Sequence, residues 1–503
     1  MKVVFVLLDS LNRKAMEPYG ETAVHTPNFK RFQQRAVTFD NHYVGSLPCM
    51  PARRDLHTGR THFLHRSWGP LEPFDDSFPE LMKQNGTYAH LITDHHHYFA
   101  DGGATYHQRY SSWELVRGQA IDRWKADVAP DLDKFKAKYH PVQHHRINYM
   151  INREHIQEEE DYCSPKLFKL ANEFLTTNHE ADNWFLQLEC FDPHEPFHAP
   201  MRFRDLYETS YDGPILDWPI YDRVTETPEE ISELRANYAA LVTMTDEYFG
   251  TLLDFFDKHD MWADTALVLT TDHGFLLGEH DWWAKNRMPV YDEIAHIPLM
   301  IYHPDFAEQG GSRRKALTQT TDLMPTMLEM TGISVPEDVS GTSLLPVLEN
   351  DQPLRDSVIF GYFGAAVNVT DGNYSYFHYP VVQGADHLYE YTLMPTRMTS
   401  RFSIKELLGA TLHPSFSFTK GAQVLRLNPK VSDAGDPIEV QGLPFADMKS
   451  ALYDLASDPG QSTPIDAPDV IAKFQGYIID NMIKMDAPPE AFERFGFPFP
   501  EKN

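Results

Sequence analysis

Four short, mostly apolar runs in this chain each break off abruptly into charged or imidazole residues. Val3–Leu8 runs into Asp9-Ser10, and Ala89–Ile92 leads to Asp94-His95-His96-His97. Trp184–Phe191 meets Asp192-Pro193-His194, and Ala266–Leu269 leads to Asp272-His273. Apolar runs of this length fit strands in the middle of a mostly parallel sheet covered on both faces. Between them, Thr26-Pro27 reads as a cap followed by proline at the first helical position, predicting a helix over 28–35. Residues 228–258 form a long amphipathic helical stretch, and 321–331 a short one. Strands alternating with helices predict an α/β/α sandwich around a large, mostly parallel sheet. Ligands of such sheets bind beyond the carboxyl ends of the strands, where the four polar clusters would gather.

Beyond residue 355 the pattern changes. Ser357–Phe363 and Tyr374–Tyr379 alternate like antiparallel strands, with Asp371-Gly372 as the hairpin turn between them. This predicts two units: an α/β domain over 1–355 and a smaller α+β subdomain with an antiparallel sheet over 356–503. The Phe- and Pro-rich tail 492–500 is expected to pack against another surface, a neighbouring subunit in a homo-oligomer among the candidates. Arg313-Arg314-Lys315, following Gly310-Gly311, reads as a solvated loop.

Composition narrows the function classes. The 503 residues carry 44 basic and 73 acidic side chains, a net charge of −29. Such a field repels phosphate, so neither nucleic acid nor an anionic membrane is an expected partner. With 42% hydrophobic residues the chain can build a large core. No apolar run approaches the ~18 residues of a membrane span. Cys49, Cys163 and Cys190 cannot make a disulfide framework, and no C-x-x-C pair suggests zinc or redox chemistry. The first apolar run lacks a small-residue cleavage site after it, so it reads as a strand and the expected location is cytoplasmic.

The most informative segment is Cys49-Met50-Pro51-Ala52-Arg53-Arg54-Asp55-Leu56-His57-Thr58-Gly59. It resembles the sulfatase signature C-x-P-x-R followed by T-G. Further landmarks continue in the family's order: Asp272-His273-Gly274, Leu277-Gly278-Glu279-His280, Lys285, then Asp322-Leu323-Met324-Pro325-Thr326 and Leu452-Tyr453-Asp454-Leu455. The resemblance is to the formylglycine-dependent sulfatases of the alkaline phosphatase superfamily. It implies an alkaline phosphatase-like sandwich and hydrolysis of a carbohydrate or aryl sulfate ester. It also implies that Cys49 is oxidised by a formylglycine-generating enzyme to an aldehyde whose hydrate attacks sulfur.

Sulfate transfer needs charge neutralisation around a tetrahedral oxyanion, a strong nucleophile and a proton for the leaving oxygen. Asp9, Asp272 and His273 can hold one divalent cation, and in the family the formylglycine oxygen from Cys49 completes its coordination. Carboxylates favour Ca²⁺, and the imidazole also admits Mn²⁺. Arg53, one turn beyond Cys49 if a helix starts there, could hydrogen-bond the hydrate. Lys285 matches the family's lysine that contacts the sulfate. His194, in Asp192-Pro193-His194-Glu195-Pro196, matches the histidine that binds sulfate or protonates the departing oxygen.

Two positions depart from the pattern. Asp9 is followed by Ser10, where many sulfatases carry a second metal-binding carboxylate. Alignment on Leu91-Ile92 puts Asp94 where a sulfate-binding lysine is expected and His96 at the substrate-binding histidine. Either Asp94 points away, or it pairs with a substrate cation, or the register slips and His95 or His97 fills the role. On an extended strand Asp94 and His96 would share one face. Both departures are similar to the phosphonate monoester hydrolases and phosphodiesterases of the same superfamily, the alternative enzyme reading. A binding protein with unconverted Cys49, or a redox thiol, stands behind these.

Overall fold

The computed structural model describes residues 1–20, 22–286, 289–382, 387–428 and 448–500. Its largest sheet has eight strands: β1 Lys2–Leu8, β2 Val37–Phe39, β3 Tyr88–Thr93, β4 Ser112–Leu115, β5 Trp184–Cys190, β6 Thr265–Thr271, β7 Leu299–Tyr302 and β8 Arg313–Arg314. They lie in the order β8-β2-β7-β6-β1-β5-β3-β4. β1 pairs in parallel with β5 and β6, β3 with β5 and β4, and β8 with β2; only β7 runs antiparallel to its neighbours. The mostly parallel sandwich predicted from the apolar runs is the observed architecture.

Side chains alternate across each strand, so one strand feeds two cores. Val4, Val6 and Leu8 of β1 pack on one side, with Phe29 and Phe32 of helix α1 (Pro27–Gln33). Val3, Phe5 and Leu7 face the other side, against Met50 and Leu56 of α2 (Cys49–Thr58) and Phe78 and Met82 of α3 (Phe78–Gln84). α4 (Cys163–Asn178) and α5 (Pro228–Lys258) join the first layer, and α6 (Leu323–Met330) the second. Each such side chain contributes about 1.5–3 kcal/mol on burial. Among the described residues no helix is long and apolar enough to cross a membrane.

α1 begins where the proline predicts, but Thr26 does not cap it. The Thr26 hydroxyl accepts from Glu17 N at 2.9 Å, and Asp246 of α5 takes the free N–H groups of Asn28 and Phe29 instead. A tertiary contact replaces the local one. Arg313-Arg314 is likewise not a solvated loop: it forms the edge strand β8, and Arg314 is buried with Nε donating to Val347 O at 2.6 Å.

A second sheet carries β9 Val358–Tyr362, β10 Val367–Thr370, β11 Tyr374–His378 and β12 Ala451–Asp454, in the order β12-β11-β10-β9 with the two-residue strand Ser46–Leu47 at its edge. Asp371-Gly372 does form a turn, with Gly372 at φ 85°, but it joins β10 to β11 rather than β9 to β11. Four residues between two loops carry too little alternation to announce β10 before its partners are known. Phe492, Phe495 and Phe497 pack within the same chain, against Phe474, Ile478 and Met482 of α7 (Pro468–Lys484). Through Ser46–Leu47 this sheet reaches the residues that precede Cys49.

The carboxyl ends of the four adjacent strands β6, β1, β5 and β3 bring Asp272-His273, Asp9-Ser10, His194 and His95–His97 to one rim. Gly274 closes this rim: a Cβ there would sit 1.8 Å from the carbonyl oxygen of Glu293. Gly274→Ala is therefore expected to lower unfolding stability by about 1–3 kcal/mol in urea titrations. An unchanged midpoint would show that the Glu293 segment yields freely.

Candidate active site

Cys49 is the first residue of α2, whose ten residues are all buried. One turn on, Arg53 lies beneath the sheet rim with its guanidinium fully engaged. Nε donates to Glu189 Oε1 at 2.6 Å, Nη1 to Asp272 Oδ2 at 2.6 Å and to the Cys49 carbonyl at 3.0 Å, and Nη2 to Asp9 Oδ2 at 2.9 Å. The three carboxylates come from β5, from the loop after β6 and from the end of β1. Asp9 and Asp272 lie at strand ends, but Glu189 stands inside an apolar strand, where its other oxygen accepts from Tyr98 Oη at 2.8 Å and Gln187 Nε2 at 3.0 Å. A planar, permanently charged fork spreads its donors over three nitrogens and so reaches three acids on different sides, where an ammonium must gather them all around one atom.

Above this network Asp9, Cys49, Asp272 and His273 each offer a ligand atom, all within 4.8 Å of one another. The Cys49 thiol lies 3.2 Å from His273 Nε2. His273 Nδ1 donates to the Gly274 carbonyl at 3.0 Å, which leaves Nε2 as the nitrogen with a lone pair. Burial, helped by the charge of Lys285, pushes the His273 pKa down to about 3, so the ring is neutral. Burial works to raise the Asp9 pKa, but Lys285 and Arg53 outweigh it and hold the carboxyl well below its usual range. Asp272 moves the other way, to about 7, through burial and the neighbouring charge of Asp9. Two carboxylates and a neutral, oriented imidazole fit a divalent cation.

Ser10 ties this centre to Lys285. Its hydroxyl donates to Asp9 Oδ1 at 2.8 Å and accepts from Lys285 Nζ at 2.7 Å, while its N–H donates to Asp272 Oδ1 at 3.1 Å. The Ser10 backbone is left-handed, at φ 63°. Lys285 Nζ is also 3.6 Å from Asp9 and 3.9 Å from Glu195. Burial opposes its charge, but Cys49, Glu195 and Asp9 together raise its pKa. His194 donates from Nδ1 to the Glu195 carbonyl, which leaves Nε2 free. Burial and then Lys285 hold its pKa well down. Glu195 is fully buried, and among the described residues its carboxylate oxygens have no hydrogen-bond partner; burial pushes its pKa to about 7.

The third strand end differs from the extended geometry. β3 stops at Thr93, and His96–Phe99 winds into a short 3₁₀ turn, so Asp94 and His96 do not share a strand face. Asp94 points away from the centre: Oδ1 accepts from Phe191 N at 2.7 Å, and burial with the nearby charge of Asp192 raises its pKa well above normal. His95 is the member of the run beside the cluster, with Nε2 3.9 Å from Asp9 Oδ2. His96 packs against His97 and Phe191, with ring centres 4.2 and 5.7 Å away.

Sequence reasoning therefore brought Asp9, Cys49, Arg53, His194, Asp272, His273 and Lys285 to one place and missed Glu189 and Glu195; of the readings open for the histidine run, the structure sets His95 rather than His96 beside Asp9. The signal for Glu189 was present: Gln187 and Glu189 are polar residues in an apolar strand, and buried charges need partners.

Comparisons with known proteins come to the same neighbourhood. The Sulfatase family model matches residues 2–333, and a model for the C-terminal part of N-sulphoglucosamine sulphohydrolase matches 278–402. The N-acetylglucosamine-6-O-sulfatase of Bacteroides thetaiotaomicron is 26% identical over 405 residues, covering 69% of this chain and 71% of its own. Two solved structures share the fold. One, determined with its substrate D-glucosamine-2-N,6-O-disulfate, gives a TM-score of 0.65 at 17% identity over 97% of this chain and 99% of its own. The phosphonate monoester hydrolase of Agrobacterium radiobacter gives 0.62 at 19% identity over 96% and 95%.

The Arg53 network makes a direct prediction. Removing a buried cation strands its acids, so Arg53→Gln should destabilise the metal-free protein by about 3–5 kcal/mol in denaturant titrations. Arg53→Lys should recover only part of this, because one ammonium cannot reach all three carboxylates. A loss under about 1 kcal/mol for Arg53→Gln would show that the acids do not depend on it.

Proposed function

The chain belongs to the sulfatase family, and from that footing we propose that it hydrolyses the sulfate ester of a saccharide or similar small alcohol. The reading also holds that Cys49 is matured to formylglycine by a formylglycine-generating enzyme. The observation that carries it is the position of Cys49: its side chain stands at the focus of Asp9, Asp272 and His273, one helical turn above the Arg53 network. The sugar sulfatase among the relatives supports the saccharide class.

Asp9, Asp272 and His273 would hold the cation, Ca²⁺ in this reading and Mn²⁺ as the alternative. A divalent cation there supplies positive charge that acidifies an oxygen on residue 49. As a hydrate, formylglycine supplies both an oxygen nucleophile and a second hydroxyl through which sulfate is expelled. The remaining work falls to the chain's own groups. Arg53 fixes both metal-binding carboxylates and, through Cys49 O, the start of α2. Lys285, held by Ser10, brings an ammonium to balance charge on the sulfate oxygens as the S–O bond breaks. His194, with Nδ1 committed to Glu195, presents Nε2 toward a leaving oxygen. A bound sulfate anion raises the His194 pKa, opposing Lys285, and so favours the protonated ring that gives its proton to the alcohol.

Two observations keep the phosphonate monoester reading in play: Ser10 occupies the position of a second carboxylate, and Asp94 turns away, so no lysine stands at that strand end. Sulfate and phosphonate monoesters share charge and shape. Wild-type protein is expected to favour 4-nitrophenyl sulfate over 4-nitrophenyl phenylphosphonate in kcat/KM, and Cys49→Ala should abolish turnover of both. Sulfate turnover by Cys49→Ala at the wild-type rate would refute the reading. A phosphonate preference of about a hundredfold, some 2.7 kcal/mol in the barrier, would transfer the assignment to the second class.

A further inference from the structure

Residues 117–156 form an insert that folds over the carboxyl end of β5. Phe135, Tyr139, Tyr149 and Met150 from the insert pack with Phe191 and Trp218 in a small core of their own. Phe191 in turn packs against His194, the two rings tilted at 44° with centres 4.0 Å apart. What the insert presents thus stands beside the proposed leaving-group side of the site.

It presents Arg146. The half-buried guanidinium lies over the indole of Trp218, its central carbon 3.8 Å from the ring centre. Its Nε is buried without a hydrogen-bond partner, and among the described residues it forms no ion pair within 4.0 Å. The two acids whose charge reaches it are Glu195 and Asp217. Asp217 is already taken, by Gln143 at 2.8 Å, Tyr149 at 2.5 Å and Arg153. Glu195 keeps to His194, 3.3 Å away, and Lys285, 3.9 Å away. Glu195 therefore lies between the charges of Lys285 and Arg146 and acts on both. A partly desolvated cation held over an aromatic ring, with no anion paired to it within 4.0 Å among the described residues, is costly to keep unless an anion arrives. A rigid guanidinium fork is shaped for an oxyanion.

We propose that Arg146 is a specificity residue that binds a second oxyanion, a carboxylate or a further sulfate, carried by the alcohol part of the substrate. This rests on the sulfate-ester reading above. It predicts that the enzyme selects sulfated acids or disulfated compounds over neutral alcohols bearing one sulfate.

The test compares phenyl sulfate, 3-carboxyphenyl sulfate and 1,3-phenylene disulfate with wild-type, Arg146→Lys and Arg146→Gln protein. The readout is the ratio of kcat/KM for each doubly charged ester to that for phenyl sulfate. Arg146→Gln should lower that ratio about tenfold or more, the scale of a charge-assisted hydrogen bond. Arg146→Lys should restore part of it. The doubly charged ester whose ratio collapses identifies the group recognised. If Arg146 only offsets the charge of Glu195, all three esters lose rate together and the ratios stay put, which overturns the proposal. Wild-type protein inactive on every sulfate would instead overturn the sulfatase reading, and this inference with it.

Discussion

One buried guanidinium organises the centre. Arg53 gathers Asp9, Glu189 and Asp272 from three strands of the central sheet and also holds the carbonyl of Cys49. Each acid alone would be expensive to bury, and a lone arginine equally so. Together they fix the start of α2 relative to the rim of the sheet, and with it the side chain of residue 49. The arrangement buys geometry more than stability, because buried ion pairs seldom outdo apolar packing. That is the balance expected where a few atoms must be held to a fraction of an ångström.

The same economy explains the strand ends. β1, β5 and β6 are largely apolar because layers of helices cover the sheet, so most polar side chains cluster where the strands stop; Gln187 and Glu189 inside β5 are the exception, and Arg53 and Tyr98 pair with Glu189 there. Ser10 leaves β1 in a left-handed turn that aims its N–H at Asp272 and its hydroxyl between Asp9 and Lys285. Gly274 lets the chain after His273 pass against Glu293. His273 is neutral, oriented through its Nδ1, and turns Nε2 to the Cys49 thiol. Lys285 and Arg53 keep Asp9 ionised in a site where burial alone would protonate it. Asp9 thus meets both signs of charge: it shares a cluster with Asp272 and His273, and the ammonium of Lys285 lies 3.6 Å away.

Most of this frame could be read from the residues. An apolar run that ends in Asp or His marks both a buried strand and its functional end, and C-x-P-x-R places a cysteine and an arginine one turn apart once a helix begins at Cys49. What stayed hidden depends on contacts that no local pattern encodes. Glu189 belongs to the site because Arg53 reaches it from another layer. His95, not His96, meets Asp9 because β3 stops at Thr93 and the chain coils. For Asp94 the sequence left three readings open, and only the contact with Phe191 N selects the one in which it points away. β8 and β10 are too short to show before their neighbours pair with them. The Thr26 cap failed for the same reason, since Asp246 from a distant helix supplies the bonds.

The account stands or falls on what residue 49 becomes. A buried thiol next to Asp9 has its pKa pushed well up and makes a poor nucleophile; an aldehyde hydrate does not share that handicap. The direct measurement is the mass of the peptide containing Cys49, taken from protein expressed in its native host. The account predicts the thiol mass less one sulfur and two hydrogens plus one oxygen, and labelling of the same peptide by a hydrazide probe. An intact thiol in protein that turns over sulfate esters would contradict it.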